Sequence, residues 1–138
     1  MAKNLELGLK ISKEFGETDF IGYLSDTFGH SKDIFKLLKK FNIDKSIVWR
    51  GIKKGYPADF IKSGIKTTRL VFGYYQDILH SGIIDEEKIN NLEKILDKIN
   101  ENSKEILLLP LGGDHLSSPK DLSKKIEIIN KGLKNYEI

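Results

Sequence analysis

Segments with helical periodicity alternate along the chain with short apolar runs, and this alternation constrains the fold more than any other feature. Apolar residues recur at helical spacing in four segments, residues 5–15, 31–41, 85–99 and 118–133. Ser31 is the expected N-cap of the second helix and Asp85 that of the third, where two glutamates occupy the first turn. The fourth is expected to open at Ser118, with Pro119 as its first helical residue.

The apolar runs between these helices have the length of β-strands. They cover residues 20–24, 46–49, 65–72 and 106–111. Leu107 to Leu109 is unbroken apolar sequence, as in a strand that is covered on both faces. This order of elements predicts an α/β fold, a partial barrel-like domain with a largely parallel sheet flanked by helices. We expect residues 1–138 to form a single domain.

Composition excludes several classes of function. The net charge is only +3, and the lysine pairs, such as Lys53-Lys54, are scattered along the chain. We interpret these pairs as solvated helix faces. Nucleic acid is therefore not an expected partner. The chain has no cysteine, so it forms neither a disulfide nor a thiolate metal site. No apolar run reaches the roughly 18–20 residues of a membrane span. We therefore expect a cytoplasmic protein that binds no membrane.

Two of the predicted strands end in an aspartate set among turn residues. Asp26 follows the first strand, and Asp114 follows the run 106–111. Ligands of α/β proteins bind at the carboxyl ends of strands. Two carboxylates there are what glycoside hydrolysis needs, one as nucleophile and one as proton donor. An aspartate before a helix is more often a cap than a catalyst, so the pattern alone leaves both interpretations open.

Three segments resemble glycoside hydrolase family 38, the α-mannosidases. The stretch Gly22-Tyr23-Leu24-Ser25-Asp26-Thr27-Phe28-Gly29-His30-Ser31 is similar to the nucleophile motif, in which an aspartate precedes a Phe-Gly pair by two positions. The stretch 47–51 resembles the family's next strand, which ends in an aromatic-Arg pair. The stretch 107–115 resembles the acid/base segment. The resemblance spans nearly the whole chain and implies the central part of an N-terminal catalytic domain.

The resemblance implies a zinc-assisted retaining hydrolysis of terminal α-mannosides, such as mannose-containing oligosaccharides. Asp26 would be the nucleophile and also a zinc ligand, and Asp114 the acid/base. Arg50, Asp77 and His115 would line the sugar site, and for His115 a solvent-facing position in the loop is equally open. A retaining glycosidase holds its two carboxyl groups about 5–5.5 Å apart, so we expect Asp26 and Asp114 at the same end of the sheet.

The sequence also departs from the family. The other zinc ligands of the family, a His-x-Asp pair and a later histidine, have no counterpart in this sequence. Its three histidines are His30, His80 and His115, and none of them stands in a His-x-Asp pair. We therefore expect a fragment, a truncated product or part of a split gene, which is inactive without the missing parts of its catalytic domain. His30, four residues after Asp26, has the spacing of a metal ligand or is a packing residue. A non-catalytic α/β remnant or binding module is the alternative function.

Overall fold

The computed structural model describes residues 1–16, 19–53, 55–74, 78–80, 82–101, 103 and 107–138. The chain divides into two compact units, Met1–Arg69 and Leu70–Ile138, each with its own apolar cluster. The predicted α/β class is confirmed, with helices and a mostly parallel four-stranded sheet. The sheet is not closed, so it is barrel-like only in a loose sense. The single-domain assignment stays a prediction.

The first unit contains the whole sheet. Its elements are α1 (Ala2–Glu14), β1 (Ile21–Leu24), α2 (Ile34–Lys40), β2 (Lys45–Val48), β3 (Asp59–Lys62) and β4 (Ile65–Arg69). The strand order is β1-β2-β4-β3, in which β1, β2 and β4 run parallel and β3 pairs antiparallel with β4. Strand β3 is mostly exposed and was not predicted from the sequence. Its two-residue turn, Ser63 and Gly64, has positive φ at both positions, as a type I′ hairpin turn requires.

Helix α2 covers one face of this sheet. Leu38 of α2 is buried against Ile65 of β4 and Ile43. The helix approaches β1 so closely that a Cβ on Gly22 would lie 2.6 Å from Leu38 Cδ1. Beside this contact, the hydroxyls of Ser46 and Thr67 share a buried hydrogen bond of 2.8 Å between β2 and β4. Glycine at position 22 thus allows the close packing of helix and sheet that places the end of β1.

The second unit is built on two helices, α3 (Glu86–Asn100) and α4 (Leu122–Gly132), after a 3₁₀ turn at Ile78–His80. The predicted cap of α3 is confirmed, because the Asp85 carboxylate accepts the backbone N–H of Lys88 at 2.9 Å. The core of this unit consists of Leu79, Leu92, Leu96 and Ile129. No helix among the described residues is long and apolar enough to cross a membrane.

Several predicted boundaries were wrong. Helix α2 begins at Ile34 because the Ser31 hydroxyl accepts the N–H of Asp33, closing a local turn before the helix. Helix α4 begins at Leu122, after Asp121 in the left-handed conformation with φ of 53°, and therefore not at Pro119. Strand β4 ends at Arg69, since the Gly73 N–H turns back to the Leu70 carbonyl.

The strand predicted over residues 106–111 was also wrong within its described part. Residues 107–111 form no strand, and a single bridge residue, Gly112, follows them. Leu107 and Leu109 pack against the core of the second unit, whereas Leu108 is 38% exposed. The run therefore buries alternate side chains on the two-helix core, and no ladder with a neighbouring strand forms among the described residues.

Candidate active site

Asp26 and Arg50 lie together at the carboxyl edge of the parallel strands β1 and β2. The register pairs Leu24 with Val48, the last residues of the two strands. Asp26 and Arg50 each lie two residues beyond the end of their strand, and Arg50 Nε donates a hydrogen bond of 2.5 Å to Asp26 Oδ1. The backbone N–H of Arg50 also donates to the Ser25 carbonyl at 3.2 Å. Strand pairing thus continues past the ladder and holds the carboxylate beside the guanidinium.

Two aromatic rings flank this ion pair. The guanidinium carbon of Arg50 lies 4.1 Å from the ring centroid of Trp49 and 5.4 Å from that of Phe28, within the range of cation–π attraction. The side chains of Arg50 and Asp26 remain 44% and 34% exposed, so a ligand can reach both. Trp49 is half-buried beneath Arg50.

A cavity of about 400 Å³ adjoins the pair in the first unit. Its lining includes Arg50, the strand ends Leu24 and Val48, and His30. Ligand pockets generally have volumes of about 300–1,000 Å³ and apolar walls with a few polar groups. The carboxyl edge of the sheet, to which the sequence directed attention, therefore carries both a carboxylate and a cavity.

Asp114 lies in an exposed turn of the second unit. The hydroxyl of Tyr74 donates to its carboxylate, at 3.1 Å from Oδ1 and 3.0 Å from Oδ2. His115 follows in the left-handed conformation with φ of 61°, and its side chain is exposed in the loop. Asp26 belongs to the first unit and Asp114 to the second, so their predicted proximity stays a prediction. Asp77, the remaining predicted sugar contact, lies outside the described residues.

The residues implied for zinc do not form a metal site by themselves. A catalytic zinc uses three protein ligands and an open position. In the part of the chain that the structure describes, no three His, Asp or Glu side chains converge to hold an ion. Asp26, the one implied ligand, accepts a hydrogen bond from Arg50. The described side chains therefore do not fit a zinc centre.

The lysines around the cavity were not predicted from the sequence. We interpreted the Lys53-Lys54 pair as a solvated helix face, yet Lys53 lies in the loop after β2 and lines the cavity with Lys32 and Lys62. A local signal existed, because Lys53 stands three residues after Arg50, beside the predicted site. The contribution of Lys62 depends on the unpredicted strand β3, so sequence reasoning could not have found it.

Comparison with models of known protein families gives no matching family, and comparison with curated proteins gives no matching relative. The resemblance to family 38 therefore rests on the three sequence segments described above.

Proposed function

We propose that this chain carries the nucleophile and the acid/base of a retaining α-mannosidase of the family 38 type. The observation that supports this most is the Asp26–Arg50 pair at the carboxyl edge of parallel strands, with Trp49 beneath it and a cavity beside it. In open α/β sheets this edge is where ligands bind. The motif that resembles the family's nucleophile segment thus coincides with an accessible carboxylate.

The proposed chemistry uses two carboxyl groups. Asp26 attacks the anomeric carbon while Asp114 gives its proton to the leaving oxygen, so that the glycosidic bond breaks and a glycosyl ester forms on Asp26. Asp114, now a carboxylate, removes a proton from water, which attacks the same carbon and releases mannose with retained configuration. Arg50 orients the Asp26 carboxylate through its Nε, and the Tyr74 hydroxyl orients that of Asp114.

The activity is proposed for a catalytic domain of which this chain is the central segment. The zinc that family 38 enzymes use would polarise and orient sugar hydroxyls in that domain. We expect no turnover of an aryl α-mannoside by this chain alone, because the implied ligand set is incomplete. Recognition of the sugar by Asp26 can still be tested on the chain as it is.

The test is a calorimetric titration with a mannose-configured lactam, whose flat ring imitates the oxocarbenium-like transition state. We expect binding that the glucose-configured epimer, differing only at C2, does not show. Asp26→Asn should weaken it by roughly tenfold or more, since a hydrogen bond to a charged acceptor is worth about 1.5–3 kcal/mol.

A matched control exists at the opposite end of the same strands. Asp19 is also an exposed carboxylate, and it pairs with Lys45 of β2. Asp19→Asn should leave the affinity for the mannose-configured lactam unchanged. Equal binding of the two epimers, or the same loss in both variants, would show that Asp26 is not a mannose-binding carboxylate.

A further inference from the structure

The cavity beside the Asp26–Arg50 pair is lined by positive charge. Lys32, Lys53 and Lys62 all line it, together with Arg50. Its described lining contains no Asp or Glu, and in the described part of the chain none of the three lysines forms an ion pair. Arg50 pairs with Asp26, so among the described side chains the three lysines have no carboxylate partner. Clefts with one sign of charge and apolar walls concentrate the field and attract the opposite charge.

A buried nitrogen in the same lining also lacks a partner. His30 lines the cavity, and its Nε2 is buried without a hydrogen bond among the described residues. Buried polar atoms are nearly always hydrogen-bonded in folded proteins, and an exception calls for a specific explanation. Because Nε2 is inaccessible to solvent, a ligand in the open cavity meets the ring of His30 and not this nitrogen.

The walls of the cavity are otherwise apolar and aromatic. Leu24, Phe35 and Val48 contribute aliphatic and aromatic surface, and Tyr56 and Phe60 form an edge-to-face pair with ring centroids 4.9 Å apart. The loop of Tyr56 is fixed because Arg69 donates to its carbonyl at 2.8 Å. A ligand that suits this cavity therefore combines an uncharged body, such as a sugar ring, with an anionic group directed to the lysines.

We propose that this cavity binds a phosphorylated hexose, with the phosphate held by Lys32, Lys53 and Lys62. Three lysine charges match a phosphomonoester, of about −1.5 to −2 at neutral pH, better than the single charge of a sugar carboxylate. Lysine is a common phosphate binder that acts as a point charge. The mannose identity of the sugar rests on the proposed function, whereas the phosphate assignment rests on the lining charges alone.

The experiment is calorimetry on the full chain with four probes, namely mannose 6-phosphate, mannose, mannuronate and inorganic phosphate. Mannose 6-phosphate should bind at least tenfold more tightly than each of the others. Its affinity should fall as ionic strength rises from about 0.05 M to about 0.5 M, since exposed charges are screened. The double variant Lys53→Gln/Lys62→Gln should lose about tenfold.

The matched control is Lys3→Gln/Lys10→Gln, which removes the same charge from two exposed lysines of α1 and should leave the affinity unchanged. Equal affinity for mannose and mannose 6-phosphate would overturn the anion site. Equal affinity for inorganic phosphate and mannose 6-phosphate would overturn the sugar phosphate as ligand. If the lactam test fails and mannose 6-phosphate binds as expected, the mannosidase proposal is removed and the proposal of a sugar-phosphate site stands.

Discussion

Arg50 Nε and Asp26 Oδ1 lie 2.5 Å apart, and the parallel register of β1 and β2 places them there. Leu24 pairs with Val48, so the residues two positions beyond each strand are brought to the same point. An ion pair this exposed contributes only about 0–1 kcal/mol to folding. The pair is therefore more informative about a site than about stability.

Arg50→Ala should change the fluorescence of Trp49, the single tryptophan of the chain, because the guanidinium lies 4.1 Å from its ring centroid. The stability cost should be roughly 1 kcal/mol, from an exposed ion pair and a cation–π contact. Emission spectra of the folded variants measure the effect. Lys45→Ala, which breaks the ion pair at the other end of the same strands, should leave the emission unchanged. An equal change in both variants would contradict the contact.

Gly22→Ala should destabilise the first unit by about 1–3 kcal/mol, because the new Cβ would lie 2.6 Å from Leu38 Cδ1, and Leu38 is only 2% exposed. Gly8→Ala is the matched control, since no atom lies within 4 Å of its added Cβ. In the interior of α1 it should stabilise by about 1 kcal/mol. Urea unfolding gives both values, and a neutral Gly22→Ala would disprove the close approach of α2 to β1.

Ile129→Ala should cost the second unit about 2–5 kcal/mol, because Ile129 is fully buried between α4 and its neighbours. Its chain neighbour Ile128 is 47% exposed, so Ile128→Ala should change stability by no more than about 0.5 kcal/mol. Guanidinium unfolding of the two variants makes the comparison. Similar losses at both positions would mean that α4 packs with a different face.

Asp85 should make the stability of α3 depend on pH. The backbone N–H of Lys88 donates to this carboxylate and lowers the pKa of Asp85 below its ordinary value of 3.8. Because the pKa is lowered in the folded state, the stabilisation is present above 3.8 and is lost as pH falls through the folded pKa. Asp85→Asn keeps a capping acceptor that does not titrate. The Tm difference between wild type and variant should shrink below about pH 4, and a constant difference would contradict the effect.

Sequence reasoning succeeded where the signal is local. The α3 cap requires only Asp85 and the backbone N–H three residues later. It failed where the outcome depends on tertiary partners. Leu107 to Leu109 has the composition of a buried strand, but those leucines pack on two helices.

The cavity depended on the same kind of information. Lys62 reaches the lining from β3, a strand whose mostly exposed side chains give no apolar alternation to detect. Its antiparallel pairing with β4 depends on the turn at Ser63 and Gly64, which is a weak signal in sequence. The contribution of Lys62 to the charge of the cavity was therefore visible only once the sheet order was known.

The central claim is that a mannose unit binds at Asp26, and the indole N–H resonance of Trp49 tests it most directly. Trp49 lies under Arg50, which holds Asp26, and no other tryptophan contributes to the signal. Titration of the ¹⁵N-labelled chain with the mannose-configured lactam should shift this single resonance, and the shift should disappear in Asp26→Asn. An indole resonance that stays in place while resonances elsewhere in the chain move would locate the sugar away from Asp26 and contradict the account.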